Sequence, residues 1–196
     1  SNGGNIVFKG PVSIYSDGVW NAPVVIAAGG DVTLFNNSNL TINNNLTISE
    51  NSIMRIPKGY ALMVNGTVIN NGVLEQIIDV GIENTEFLNI SPNYFGVEID
   101  PTGEVGMGDT TVRIRGNQFC DNADFGVKRC FEITPTTPQT ADIKYYFSEM
   151  ERNGETLENL LVLHWETHNW YAAGLNPTSG GSGDGQCIAV TGVDSY

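Results

Sequence analysis

The chain has 196 residues, of which 40% are hydrophobic and 16% are charged, and its formal net charge is -13. This composition excludes a disordered tail and a coiled coil, and the negative charge disfavours nucleic acid as a partner. No apolar stretch reaches the roughly 20 residues that cross a bilayer, and the N-terminus lacks a signal-peptide pattern. We therefore expect a soluble chain from which any signal peptide has been removed.

The first apolar segment, residues 6–14, has the character of a strand that belongs to a larger array. Its candidate donor residues are Ile6, Val7, Phe8, Val12 and Ile14. An exposed strand edge invites pairing with another chain. We interpret this segment as a candidate donor strand for self-association.

Between Val24 and Glu75 the sequence alternates short apolar runs with glycine or asparagine. The runs are Val32–Leu34, Leu40–Ile42, Leu46–Ile48, Ile53–Ile56, Ala61–Val64, Thr67–Ile69 and Val73–Glu75. Each run is too short to bury its side chains alone, so the pattern predicts a β-solenoid in which neighbours stack. The spacing drifts, which indicates an irregular repeat.

Asparagines punctuate this repeat at the expected corners, where their side chains can bond to the backbone of a turn. They are Asn36, Asn37, Asn39, Asn43, Asn44, Asn45, Asn65, Asn70 and Asn71. Residues 24–76 resemble the β-helical stalks of bacterial secreted and cell-surface adhesin-like proteins, in which lines such as GDVTLFNNSNLTINNNLTI and GTVINNGVLE are common. The resemblance rests on this pattern and on the turn residues, and not on any catalytic motif.

The pattern changes between Asp79 and Pro92, where longer amphipathic strands replace the short runs. We therefore predict two modules, a solenoid-like repeat over residues 1–82 and an antiparallel β-sandwich over residues 83–196. The predicted strands are Tyr94–Ile99, Thr110–Arg115, Lys128–Ile133, Asp142–Phe147, Asn159–Trp165, Trp170–Ala172 and Cys187–Thr191.

Alternation is clearest in the later strands. Ile143, Tyr145 and Phe147 share one face of their strand, and Leu161, Leu163 and Trp165 share one face of theirs. The second run then turns into Trp170, and we expect both tryptophans to pack in or near the core.

The second half resembles the C-terminal β-sandwich of large bacterial surface proteins. The matching residues are Leu161, Leu163, Trp165 and Trp170, followed by Val190-Thr-Gly-Val-Asp-Ser-Tyr. The resemblance implies no enzymatic activity. Cys130 and Cys187 stand where the resembling proteins carry apolar or aromatic residues.

The chain has three cysteines, which permit one disulfide and leave one thiol over. Cys120 and Cys130 would close the shortest loop and are the favoured pair. The alternative is that all three pack as small apolar residues.

The two histidines, His164 and His168, have the spacing of a zinc-binding helix, but the alternation around them indicates a strand. Histidines four apart on a strand are about 13 Å apart, too far to share a zinc ion. With no other histidine to act as general base, acyl-transfer chemistry is disfavoured, and we expect no enzymatic activity and no cofactor. Asp100, Glu104 and Asp109 flank a glycine-rich turn, where calcium is an alternative to a plain acidic loop.

The sequence favours a non-enzymatic, extracellular structural protein, either a self-assembling surface or filament subunit or an adhesin module. It would associate with identical subunits or with cell-surface glycans. The alternative is a carbohydrate-binding module, in which Trp20, Trp170 and Tyr171 stack on sugar rings.

Overall fold

The structure is a computed structural model that describes residues 4–15, 17–35, 39–121, 123–166, 168–180 and 185–194. It is an all-β fold, with a solenoid of about three turns followed by antiparallel sheets. The predicted fold class is therefore confirmed. No helix in the described ranges is long and apolar enough to cross a membrane.

Eleven short strands build the solenoid in the described part of the chain. They are β1 (Ile6–Phe8), β2 (Pro11–Ile14), β3 (Gly18–Trp20), β4 (Val24–Ile26), β5 (Asp31–Leu34), β6 (Asn39–Ile42), β7 (Leu46–Ile48), β8 (Ile53–Ile56), β9 (Ala61–Val64), β10 (Val68–Asn70) and β11 (Val73–Val80). The first coil starts at Ile6, well before Val24, where the apolar runs of the sequence become regular.

The strands stack in parallel into three sheets. Sheet I has the order β1-β4-β7-β10, sheet II contains β2, β5, β8 and β11, and sheet III has the order β3-β6-β9. Alternate side chains point inward, so that Ile26, Ile48 and Leu34 are fully buried. Burying each such side chain contributes roughly 1.5–3 kcal/mol, and this shared core holds strands that could not stand alone.

Among its described residues, the second half contains nine strands and two 3-10 helices. The strands are β12 (Thr85–Phe87), β13 (Val97–Pro101), β14 (Gly108–Gly116), β15 (Arg129–Pro135), β16 (Ala141–Phe147), β17 (Leu163–Glu166), β18 (Asn169–Ala172), β19 (Leu175–Gly180) and β20 (Gln186–Val193). The 3-10 helices are Glu149–Arg152 and Leu157–Asn159.

Sheet II joins the two halves of the chain. Its strand β11 pairs in parallel with β8 and antiparallel with β14, so the sheet runs on through β14 to β15. Sheet IV has the order β12-β13-β16-β20-β19, and its Tyr145 packs edge-on against Phe131 of β15 at 5.0 Å between ring centres. The division of the chain at residue 82 stays a prediction.

The region around the β17–β18 hairpin differs from the predicted strands. The strand predicted over Asn159–Trp165 is shorter than expected, because Asn159 ends a 3-10 helix and β17 begins only at Leu163. Leu161, just before β17, and Trp165, within it, are 64% and 41% exposed. Among the described strands β17 pairs with β18 alone, so this hairpin stands outside the two large sheets. By contrast, Ile143, Tyr145 and Phe147 do share a buried face.

Candidate functional site

The N-terminal coil of the solenoid has an open edge. β1, β2 and β3 are the terminal strands of sheets I, II and III, and each pairs on one side only, with β4, β5 and β6 respectively. Within the described ranges no strand pairs with their other side. These three strands therefore form an end face with backbone groups available for pairing; we call it the first-coil face.

The opposite end of the solenoid is covered by the second half of the chain. The backbone N–H of Val64 donates to the carbonyl oxygen of Ile90 at 2.8 Å, and the N–H of Val68 donates to Oδ1 of Asn93 at 3.3 Å. The side-chain amide of Asn70 donates to the Tyr94 hydroxyl at 2.9 Å. The solenoid thus offers one end for stacking and not two.

The first coil is uncharged overall in a strongly acidic chain. Residues 4–23 contain one cation, Lys9, and one anion, Asp17, whereas the whole chain carries -13. Lys9 lies at the corner between β1 and β2, and Asp17 lies at the corner between β2 and β3; both are exposed. Oδ1 of Asp17 accepts a hydrogen bond from the backbone N–H of Asn39 at 2.6 Å, which fixes its corner to the next coil.

The predicted donor residues lie within this coil and are already paired. Ile14 is buried, and Ile6, Phe8 and Val12 pack against the core, whereas Val7 is 46% exposed on the outer surface. Their register with the second coil is continuous. The segment is therefore an edge built into the solenoid, and not a detached arm.

The predicted sugar-stacking residues do not form one platform. Trp20 belongs to the solenoid and lies 6.1 Å from Phe8 between ring centres. Trp170 contacts Trp165 at 5.1 Å, while the neighbouring Tyr171 stacks on His164 at 5.8 Å. Consecutive residues of a strand point to opposite faces, so Trp170 and Tyr171 cannot bind one sugar ring together.

The remaining candidate residues are the cysteines, the acids of the glycine-rich turn and the histidines. Cys120 and Cys130 are joined in a disulfide, and burial raises the pKa of the free Cys187 thiol. No cluster of metal-binding side chains occurs among the residues that the structure describes, and Asp109 instead accepts a hydrogen bond from Lys58 at 2.5 Å. His168 lies in the turn between β17 and β18 with a positive φ of 70°.

A cavity of about 700 Å³ lies in the second half of the chain. Its walls come from β15, β16 and β20, from the loop that the disulfide closes, and from residues 155–173. No sequence pattern indicates this cavity, because the walls come from segments far apart in the chain and each apolar residue looks like ordinary core.

The corner asparagines reveal the period that the short runs obscure. Asn43 donates to Oδ1 of Asn21 at 2.9 Å, and Asn65 donates to Oδ1 of Asn43 at 2.7 Å, so the partners are 22 positions apart in the sequence. Three runs together make one coil. Asn36 and Asn37, predicted at corners, lie outside the described residues.

Comparisons with protein-family models, with curated proteins and with solved structures gave no significant match.

Proposed function

We propose that this chain is a non-enzymatic structural protein of an extracellular or cell-surface assembly, in which copies associate through the first-coil face. The observation that carries the proposal is that β1, β2 and β3 each lack a neighbour on the same end of the solenoid, among the strands of the described residues. Unpaired strand edges are templates for pairing with another chain. A second copy brings an identical set of edges.

The charge of the first-coil face supports a second copy as the partner. Two chains of net charge -13 repel each other over most of their surfaces. The coil that contains Lys9 and Asp17 is neutral, so contact there carries the least repulsion. Strand pairing at this face also satisfies backbone N–H and C=O groups of both copies without burying a charged side chain.

The covered far end of the solenoid restricts how copies can stack. Head-to-tail stacking of solenoids needs two open ends, and the second half of the chain occupies one of them. Two first-coil faces can instead meet about a two-fold axis, as in most homodimers. The axis reverses the direction of one coil, so the facing strands pair antiparallel.

The charged corners select among the ways to align the two faces. The two-fold axis can pass through sheet I, sheet II or sheet III. Through sheet I it brings Asp17 against Asp17 of the second copy, and through sheet III it brings Lys9 against Lys9 of the second copy. Through sheet II, β2 faces its own copy, β1 faces β3, and each Lys9 faces an Asp17. We assign this third alignment.

The Cys120–Cys130 disulfide supports an oxidising, extracellular location, because disulfides persist in such compartments. The likeness of the sequence to stalks of bacterial surface proteins points in the same direction. The carbohydrate-binding alternative has less support, since Trp20, Trp170 and Tyr171 face different surroundings.

Charge reversal at the corners tests the proposal by analytical ultracentrifugation. Lys9→Glu places two acids at each contact, and we expect the dimer dissociation constant to rise at least about tenfold. Asp17→Lys should do the same with two cations. A mixture of the two variants should regain dimers, because each introduced glutamate then faces an introduced lysine and each remaining Lys9 faces Asp17.

The control is Lys128→Glu, which makes the same change in net charge in the disulfide loop and should leave dimerisation intact. Deleting residues 1–15 is a poorer test, because it removes β1 and β2 and so opens the edges of β4 and β5. A wild-type chain that is monomeric at all concentrations overturns the proposal. Dimers that tolerate Lys9→Glu and Asp17→Lys alike would place the contact elsewhere.

A further inference from the structure

The cavity in the second half is large enough for a small organic ligand. Its volume of about 700 Å³ falls within the range of roughly 300–1,000 Å³ that is usual for such sites. It reaches the inner faces of both large sheets, where it contacts Phe131, Ile133, Tyr145, Phe147 and Ile188. The cavity is therefore an opening into the sandwich core.

The part of this cavity against the two large sheets is apolar. Ile133, Phe147 and Ile188 are at most 6% exposed, and the facing wall adds Val162 and Ala173. Water against these side chains finds no polar partner on them, whereas an apolar guest is favoured there. An apolar molecule would restore the contacts that these side chains lack across the gap.

The mouth of the cavity is aromatic. Phe125, carried by the disulfide loop, lies 6.5 Å from Trp170 edge-on, and Trp170 lies 5.1 Å from Trp165 edge-on. Phe125 and Trp165 are 51% and 41% exposed. These rings offer flat apolar surface and exposed edges to a ring system that enters the cavity.

Charges around the cavity argue against an ionised ligand. Both arginines in the walls have carboxylate partners: Arg115 donates to Asp121 at 2.7 Å, and Arg129 pairs with Glu151 at 2.9 Å. An acid would compete with these carboxylates and would meet Glu155 as well. A cation would leave water for an apolar interior, which is costly.

We propose that this cavity is a binding site for an uncharged, largely apolar molecule with at least one aromatic or fused-ring portion. The ring portion lies among Phe131, Tyr145 and Phe147, and Trp165 and Trp170 close over its outer end. The site is independent of the first-coil face, so either can be present without the other.

Binding of N-phenylnaphthylamine, an uncharged probe whose fluorescence rises in apolar surroundings, tests the site. We expect saturable binding to the native chain at one site. Anilinonaphthalene sulfonate has the same ring system with a charged group, and we expect it to bind at least about tenfold more weakly, because its sulfonate must lose water. Equal or tighter binding of the sulfonate overturns the assignment of an uncharged ligand.

A matched pair of substitutions locates the probe. Ala173→Phe adds a ring inside the cavity, whereas Ala172→Phe adds the same ring at the neighbouring exposed position. We expect probe binding to fall at least about tenfold in the first variant and to be unchanged in the second. Val162→Phe, on the same wall as Ala173, gives a second blocking variant if Ala173→Phe does not fold.

Three results would overturn the proposal. They are the absence of saturable binding to the wild-type chain, equal binding by the Ala172 and Ala173 variants, and displacement of the probe by soluble oligosaccharides. The last result would identify the cavity as a carbohydrate site.

Discussion

At the scale of single residues, the buried guanidinium of Arg129 connects three parts of the fold. It pairs with Glu151 of the first 3-10 helix at 2.9 Å, with both side chains at most 5% exposed. It also donates to the carbonyl oxygens of Phe95 and Tyr146 at 2.9 and 2.8 Å. Its guanidinium lies 4.5 Å from the centre of the Tyr94 ring.

Removal of the Arg129 side chain alone should lower the stability of the fold. Arg129→Met leaves the Glu151 carboxylate buried without its partner, and we expect the free energy of unfolding to fall by about 3–5 kcal/mol in urea denaturation. Arg129→Met combined with Glu151→Leu should recover part of this loss, because no buried charge is left behind.

The control for Arg129 is Arg152→Met on the neighbouring 3-10 helix. Arg152 is partly exposed and pairs with the exposed Glu149 at 3.6 Å, and a pair that is open to solvent on one side contributes at most about 1 kcal/mol. Equal losses for the two arginines would show that Arg129 contributes no more than a surface ion pair.

The burial of a side chain could be predicted where the alternation within a single strand determines it. The inward positions Ile143, Tyr145 and Phe147 follow from alternation alone, since a strand buries every second side chain. The role of Arg129 could not be predicted, because its partners lie 22, 34 and 17 residues away. No local pattern marks a basic residue in a strand as buried.

At the scale of secondary-structure elements, the asparagine ladder fixes one corner of the solenoid. Asn21, Asn43 and Asn65 occupy equivalent places in successive coils and bond side chain to side chain. Each bond contributes about 1 kcal/mol. The ladder therefore supports the stacking register of the coils on which sheets I and III depend.

The direction of the ladder predicts different outcomes for one substitution at two places. Asn21 only accepts along the ladder, so Asn21→Asp keeps the bond from Asn43. Asn43 must donate to Asn21, so Asn43→Asp loses that bond and sets an acid against an acceptor. We expect Asn43→Asp to lower the free energy of unfolding by about 1 kcal/mol more than Asn21→Asp in urea denaturation. Equal effects would contradict the direction of the ladder.

The short strands could be predicted because turn residues separate them, and the exceptions have physical reasons. β7, β8 and β9 were predicted with the observed bounds, since glycine or asparagine separates each apolar run. β19 is not predicted, because Pro177 within it and the glycine-rich sequence that begins at its last residue, Gly180, are typical of a loop. The predicted solenoid module over residues 1–82 includes β1 to β3, but the regular apolar runs were predicted only from Val24, and the proline and glycine at the starts of β2 and β3, Pro11 and Gly18, are not typical of strands.

At the scale of the whole molecule, a ladder of alternating charge crosses the junction between the two halves. On the outer face of sheet II, Arg55 bonds to Asp31 and lies 3.5 Å from Glu75, which Arg113 contacts at 2.5 Å. Arg113 in turn lies 3.4 Å from Glu132 of β15. The ladder follows the strand order from β5 through β8, β11 and β14 to β15.

This continuity predicts that the two halves unfold together. β11 belongs to both the solenoid and the antiparallel sheets, so neither half can lose it without exposing the core of the other. The tryptophans provide separate reporters, since Trp20 lies in the solenoid and Trp165 and Trp170 lie in the hairpin.

The test compares two variants in urea, followed by tryptophan fluorescence. Trp165→Phe with Trp170→Phe leaves Trp20 to report on the solenoid, and Trp20→Phe leaves the hairpin tryptophans to report on the second half. Each variant is also followed by circular dichroism, which reports on all strands at once. We expect the fluorescence and dichroism midpoints to coincide within each variant, because two-state unfolding gives coincident transitions by different probes. A fluorescence midpoint of Trp20 that differs from the circular dichroism midpoint would contradict this expectation. The solenoid would then be an independent domain, and the predicted division near residue 82 would be a domain boundary.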